Sequence, residues 1–195
     1  MCAFQVVPNP SHLCLYDNHS YMVGSCDHLA PESGCPACPT CGYRVDPNFT
    51  ADNFSLKRKN YDISRCYDGA VIVSRKFKEL CGSVGAKHLV FTPVTADETF
   101  FHLKCSAPVA LNYEAMGTER SRYCSTCGLH RDFVGYSSIV LREPDAMPEN
   151  ALAFSDRTFG SNNEANPLVI AGKEFVAAIR ANKLTGVASY EAINA

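Results

Sequence analysis

The segment Gly69-Ala70-Val71-Ile72-Val73-Ser74-Arg75-Lys76-Phe77-Lys78-Glu79-Leu80-Cys81-Gly82-Ser83-Val84-Gly85 begins as a strand and ends as a helix. Ala70 to Val73 form a short unbroken apolar run, the pattern of a buried strand. Ser74 is a helix N-cap residue, able to accept a hydrogen bond from a first-turn N–H. Behind it Phe77, Leu80, Cys81 and Val84 recur at i, i+3, i+4 and i+7, which makes one apolar helix face. Gly85 ends the helix. His88-Leu89-Val90-Phe91-Thr92-Pro93-Val94 then reads as a strand, and residues 99–103 as another.

The same succession recurs near the end of the chain. Residues 168–171 predict a strand, a helix follows through Phe175, Ala178, Ile179 and Asn182, and Thr185-Gly186 turns into a strand over 187–193. At a constant offset of 98, Val71 matches Val169, Ile72 matches Ile170, Phe77 matches Phe175 and Leu89 matches Val187. Any strand–helix–strand element carries such a pattern, so duplication and coincidence both account for it. The expected fold class is α+β, with mixed sheets, two strand–helix–strand units and a pair of structural zinc knuckles.

Two regions are expected. Residues 1–60 form an irregular, Cys-rich N-terminal region with strand-like pieces at 4–7 and 13–16. Residues 61–195 form the α+β domain. Within it, residues 108–113 and 136–141 look like strands, residues 143–150 like an acidic, proline-punctuated loop, and residues 155–167 like a second polar loop.

Two hooks carry the chemistry: Cys38-Pro39-Thr40-Cys41-Gly42 and Cys124-Ser125-Thr126-Cys127-Gly128. Thiols two residues apart across a tight turn can face one ion, and the glycine that follows can take positive φ. Together the hooks supply four ligands, Cys38, Cys41, Cys124 and Cys127, for a tetrahedral Zn²⁺. Between Cys41 and Cys124 lie 82 residues, far more than in a compact two-hook site, so the metal would clip distant parts of the chain together. Four thiolates leave no coordination position open, which makes the expected role structural. The register of the first hook is open, because Cys35-Pro36-Ala37-Cys38 is also C-x-x-C. Gly42, mirrored by Gly128, favours Cys38 and Cys41. His28 and His130 lie near the hooks in sequence and are alternative ligands. The remaining cysteines read as small buried hydrophobes. Neither hook precedes a helical pattern, as a redox dithiol of the thioredoxin kind would.

The chain has 195 residues, 46% hydrophobic and 19% charged, an ordinary globular composition. No stretch nears the roughly 18 apolar residues of a membrane span, and the N-terminus lacks the basic start and apolar run of a signal peptide. The expectation is a soluble cytosolic protein. A net charge of −2 argues against a general nucleic-acid binder. No G-x-S-x-G, H-E-x-x-H, phosphate-binding glycine loop or G-x-G-x-x-G is present. No His-x-Glu accompanies the C-x-x-C motifs, so the zinc-deaminase pattern is incomplete. No catalytic residue is assigned, and the protein is not expected to be an enzyme.

The paired C-x-x-C-G hooks, the segment from Asp68 to Phe77, the strand Leu89–Val94 and the C-terminal strand–helix–strand resemble the double-CXXCG motif proteins of bacteria, which are grouped with immunity proteins of polymorphic toxin systems. The resemblance runs from about residue 38 to the end. It places the paired hooks on Cys38, Cys41, Gly42, Cys124, Cys127 and Gly128, with Cys35 as a departure. It implies a protein that binds and neutralises a cognate toxin by direct contact, for which loops 143–150 and 155–166 are the candidate surfaces. The alternative is a zinc-ribbon adaptor binding nucleic acid or a transcription complex. It would use Arg44, Arg120, Arg122, Arg131 and residues 57–59, with Tyr43 and Tyr123.

Overall fold

The computed structural model describes residues 12–16, 34–46, 48–50, 54, 56, 59–66, 69–135, 139–143, 147–162 and 165–193. Along the chain run β1 (His12–Tyr16), β2 (Ile63–Arg65), β3 (Val71–Ser74), α1 (Arg75–Ser83), β4 (Leu89–Pro93), β5 (Phe100–Cys105), β6 (Glu119–Cys124), β7 (Leu129–Val134), β8 (Ile139–Val140), β9 (Leu152–Ser161), β10 (Asn166–Gly172), α2 (Lys173–Ala181) and β11 (Ala188–Ile193). Two sheets result: a four-stranded one in the order β2-β3-β5-β4 and a seven-stranded one in the order β6-β7-β9-β10-β1-β11-β8. Neighbours are antiparallel except the β8–β11 pair. The fold is thus α+β.

β3 ends where Ser74 caps α1, its Oγ accepting from the Phe77 N–H at 3.2 Å. The i, i+3, i+4 face buries Phe77, Leu80 and Cys81. α2 buries Phe175, Val176 and Ile179, and the two helices meet through Phe77 and Phe175, ring centroids 6.0 Å apart. The start of α2 is capped differently. Gly172 has no side chain to offer, and the N–H groups of Glu174 and Phe175 donate instead to the Glu149 carbonyl at 3.0 and 3.2 Å. A Cβ on Gly172 would sit 2.1 Å from that oxygen, so the carbonyl reaches the helix end because residue 172 is glycine.

α1 and α2 begin and end at the same offset of 98, from 75 to 173 and from 83 to 181. In each sheet a single strand lies between the strands flanking the helix: β5 between β3 and β4, and β1 between β10 and β11. β1 comes from within residues 1–60, yet it fills the middle of the larger sheet.

Several local expectations are corrected. The polar loop over 155–167 is largely strand: β9 continues to Ser161, turns, and returns as β10 from Asn166. Ser155 is buried there because its Oγ accepts from the Leu168 N–H at 2.9 Å and donates to the Arg157 carbonyl. Residues 108–113 make only isolated bridges, Val109 to Ser155 and Leu111 to Leu141. The strand expected at 136–141 is confined to β8 among the described residues. The hairpin that bears the second hook is β6–β7 instead. The strand-like piece at 4–7 lies outside the described residues.

No helix among the described residues is long and apolar enough to cross a membrane.

Candidate metal centre

The second hook is the turn between β6 and β7. Its position is fixed from below by aromatic packing: Phe133 of β7 meets Tyr113 edge-on at 4.9 Å and Phe159 of β9 at 5.1 Å. β7 also pairs with β9 through Asp132 with Ser161 and Phe133 with Gly160. On the edge strand β6, Arg122 forms an ion pair with Asp132, across the hairpin.

The first hook is a small closed turn. The Cys38 N–H donates to the Tyr43 carbonyl and the Gly42 N–H to the Cys38 carbonyl, both at 2.8 Å, and Val45 N–H donates to Pro36. Two side chains just beyond it tie it to β9 and the following turn. The Tyr43 hydroxyl lies 3.2 Å from the Thr158 hydroxyl, and the Arg44 guanidinium donates to the Ala165 carbonyl at 3.3 Å.

The hooks have the same geometry. The Gly128 N–H donates to Cys124 at 2.8 Å, as Gly42 does to Cys38. Gly42 and Gly128 hold φ of +69° and +70°, the left-handed region where a side chain is strained. Neither glycine has an atom within 4 Å of an added Cβ, so backbone conformation and not space selects glycine.

Cys38, Cys41, Cys124 and Cys127 converge, all four sulfurs lying within 4.8 Å of one another. The Sγ–Sγ distances Cys38–Cys124 and Cys41–Cys127 are both 3.9 Å. A tetrahedron with metal–sulfur bonds of about 2.3 Å has edges of about 3.8 Å, so the set fits one metal ion. None of the eight cysteines whose side chains are described forms a disulfide. Cys38 and Cys124 are buried, whereas Cys41 and Cys127 are half-exposed. Cys35 is not part of the cluster; the sulfurs of the first hook that lie in it are those of Cys38 and Cys41.

The sulfurs are prepared for a cation. N–H groups of Cys127 and Thr126 bring the Cys124 thiol down to about 6, and those of Cys41 and Thr40 lower Cys38. An N–H from Leu129 acts in the same sense on Cys127, but burial and the neighbouring sulfurs outweigh it and push that thiol up to about 11. Cys41 is raised in the same way. Backbone N–H groups thus favour thiolate at the first cysteine of each hook, and the mutual proximity of the four sulfurs opposes further negative charge that a bound cation would offset.

His130 is not in the cluster; its ring packs on Tyr123 at 5.1 Å. His28, Lys57 and Arg58 lie outside the described residues. Of the other cations near the hooks, Arg131 donates to Asn162 at 2.8 Å, and Arg120 is exposed on β6. Sequence reasoning missed Thr40 and Thr126, whose hydroxyls meet at 3.0 Å beside the cluster. The shared C-x-T-C spelling was their signal. It also missed Tyr43 and Arg44 as anchors, for which no local pattern exists.

No family model matches the chain, and no curated protein matches it.

Proposed function

We propose that the protein is an immunity protein that binds a cognate bacterial toxin by direct contact, and that its four-cysteine centre holds a structural Zn²⁺. The observation that carries this reading is the convergence of two identically built C-x-x-C-G hooks, the feature on which the resemblance to double-CXXCG proteins rests. A closed four-sulfur set at tetrahedral spacing suits Zn²⁺ in a structural role. The two strand–helix–strand stretches are read as copies of one unit; equal offsets at both helix ends and the meeting of Phe77 with Phe175 support this.

Of the two surfaces expected to meet the toxin, residues 143–150 remain the candidate only in part. Met147 is buried and Asn150 Nδ2 donates to the Val84 carbonyl at 3.0 Å, so part of that segment serves the fold. In the second, Asp156, Arg157 and Ser161 of β9 are the exposed residues among those described. Fast, salt-sensitive association is expected if the toxin is basic.

Co-expression with the C-terminal toxin domain of an adjacent gene tests the reading. Rescue of growth and co-purification of a one-to-one complex are the expected results. Failure of both, with a gel shift on nucleic acid at physiological salt, would put the zinc-ribbon adaptor in its place.

A further inference from the structure

The chain carries a net charge of −2, yet one cavity reverses that sign. It encloses about 590 Å³ and is walled by residues that follow the two hooks, by β9 and by the segment after β8. Four arginines line it: Arg44, Arg120, Arg142 and Arg157. The one carboxylate among its lining residues is Asp156. That carboxylate already accepts the Tyr113 hydroxyl and the Leu111 N–H. Arg120, Arg142 and Arg157 form no ion pair among the described residues. His130 also lines the cavity, and its Nδ1 is buried without a hydrogen-bond partner among the described residues.

Aromatic rings line the cavity beside these polar groups. Tyr43, Tyr113 and Phe133 face the space, and the ring of Tyr113 is held edge-on against Phe133 and tethered by Asp156. Its floor is therefore preformed. Guanidinium forks match the oxygens of phosphates in pairs, and fixed aromatic rings offer faces to a planar ring. The volume falls in the range of small-ligand sites, roughly 300–1,000 Å³. A recess of this size has room for a single small molecule.

We propose that this cavity binds a nucleoside phosphate, with Arg142, Arg157 and Arg120 holding the phosphate and the tyrosines flanking the base. The lining holds none of the four cysteines, but Tyr43, Arg44, Gly128 and His130 come from the hook segments, so the metal-loaded fold builds the site and the ligand does not touch the metal.

Isothermal titration of the intact, metal-loaded protein at physiological salt with AMP, GMP, CMP and UMP tests it, with inorganic pyrophosphate as the ringless control. Saturable one-to-one binding of at least one nucleotide is expected, with pyrophosphate at least roughly tenfold weaker. The double variant Arg142→Ala, Arg157→Ala should weaken binding by roughly tenfold or more. Both side chains are exposed, so its melting temperature and metal content should match the parent protein. Arg120→Ala serves as a second probe if the double variant melts early. No binding of any nucleotide, equal binding of pyrophosphate, or unchanged affinity in the arginine variants would overturn the proposal.

Discussion

The hydroxyls of Thr40 and Thr126 lie 3.0 Å apart, each belonging to the third residue of its hook. Cys38 faces Cys124 and Cys41 faces Cys127 at 3.9 Å in the same way. Every one of these contacts joins residues in the same place in each hook. The hooks therefore meet about a local two-fold axis, which is how two planar turns generate a tetrahedron.

The centre should bind one metal ion per chain. Metal analysis is expected to find zinc at unit stoichiometry, with sulfur ligands at about 2.3 Å by X-ray absorption. Cys35→Ser should keep full metal content, whereas Cys41→Ser should lose it. Cys124→Ser should lower stability by about 3 kcal/mol or more, because metal affinity contributes directly to folding. Hydrogen exchange should then rise in residues 34–46 and 119–134 while α1 stays protected. A Cys124→Ser protein that melts like the parent would end the structural role.

The two helix starts should respond differently to alanine. Ser74→Ala removes a side-chain cap and should cost about 1 kcal/mol. Gly172→Ala pushes a methyl into the Glu149 carbonyl, 2.1 Å from the ideal Cβ position. It should cost on the order of 2 kcal/mol by forcing backbone apart. Chemical denaturation of the pair checks the ranking.

The helix ends differ too. After α1 the left-handed position is Gly85, at φ +70°, and the Ala86 N–H reaches back to the Cys81 carbonyl. After α2 the corresponding residue is Lys183, at φ +52°, and the Leu184 N–H reaches back to Ile179. A lysine there is strained where glycine is not. Lys183→Gly should raise stability by about 0.5–1 kcal/mol, read as a higher denaturation midpoint with an unchanged slope.

Asp62 joins the start of β2 to both helix-bearing parts of the chain. Its carboxylate accepts the Ser74 hydroxyl at 2.7 Å and both the N–H and the hydroxyl of Thr185 at 2.9 and 3.0 Å. Burial alone would raise this carboxyl; the hydrogen bonds from Ser74 and Thr185 and the charge of Lys76 outweigh it and hold it low. A carboxyl lowered by folding stabilises above its unfolded value, about 3.9, and that stabilisation is lost as pH falls through the folded value. Stability should thus decline on acidification below about pH 4, and Asp62→Asn should flatten part of that decline. Parallel acid dependence in the two proteins would exclude Asp62 as a contributor.

What was legible in the sequence tracks how each segment meets its surroundings. β3 and α1 carry buried faces of one kind throughout, so the run from Val71 to Val73 and the spacing of Phe77, Leu80 and Cys81 read directly. The hooks read as well, since their chemistry is local. β6 and β7 did not: Glu119 to Tyr123 are exposed along the whole strand, and no alternation marks an edge strand open to water. β9 was hidden by the mid-strand polar run Ser155 to Thr158, in which Ser155, Asp156 and Thr158 find partners in Leu168, Tyr113 and Tyr43. The arginine-lined cavity was invisible because its four cations come from four separate segments.

The place of β1 sets an order on assembly. His12 pairs with Gly172 on one side and Ala192 on the other, whereas the strand ladders of β2 to β5 among the described residues run within residues 63–105. Contacts close in sequence form sooner than distant ones. Pulsed hydrogen exchange during refolding should therefore protect the β3–β5 ladder before the β1–β10 ladder. During synthesis, which runs from the N-terminal side, β1 is made well before its sheet neighbours and waits for β10 and β11, so the larger sheet closes only once residues 166–193 have been added.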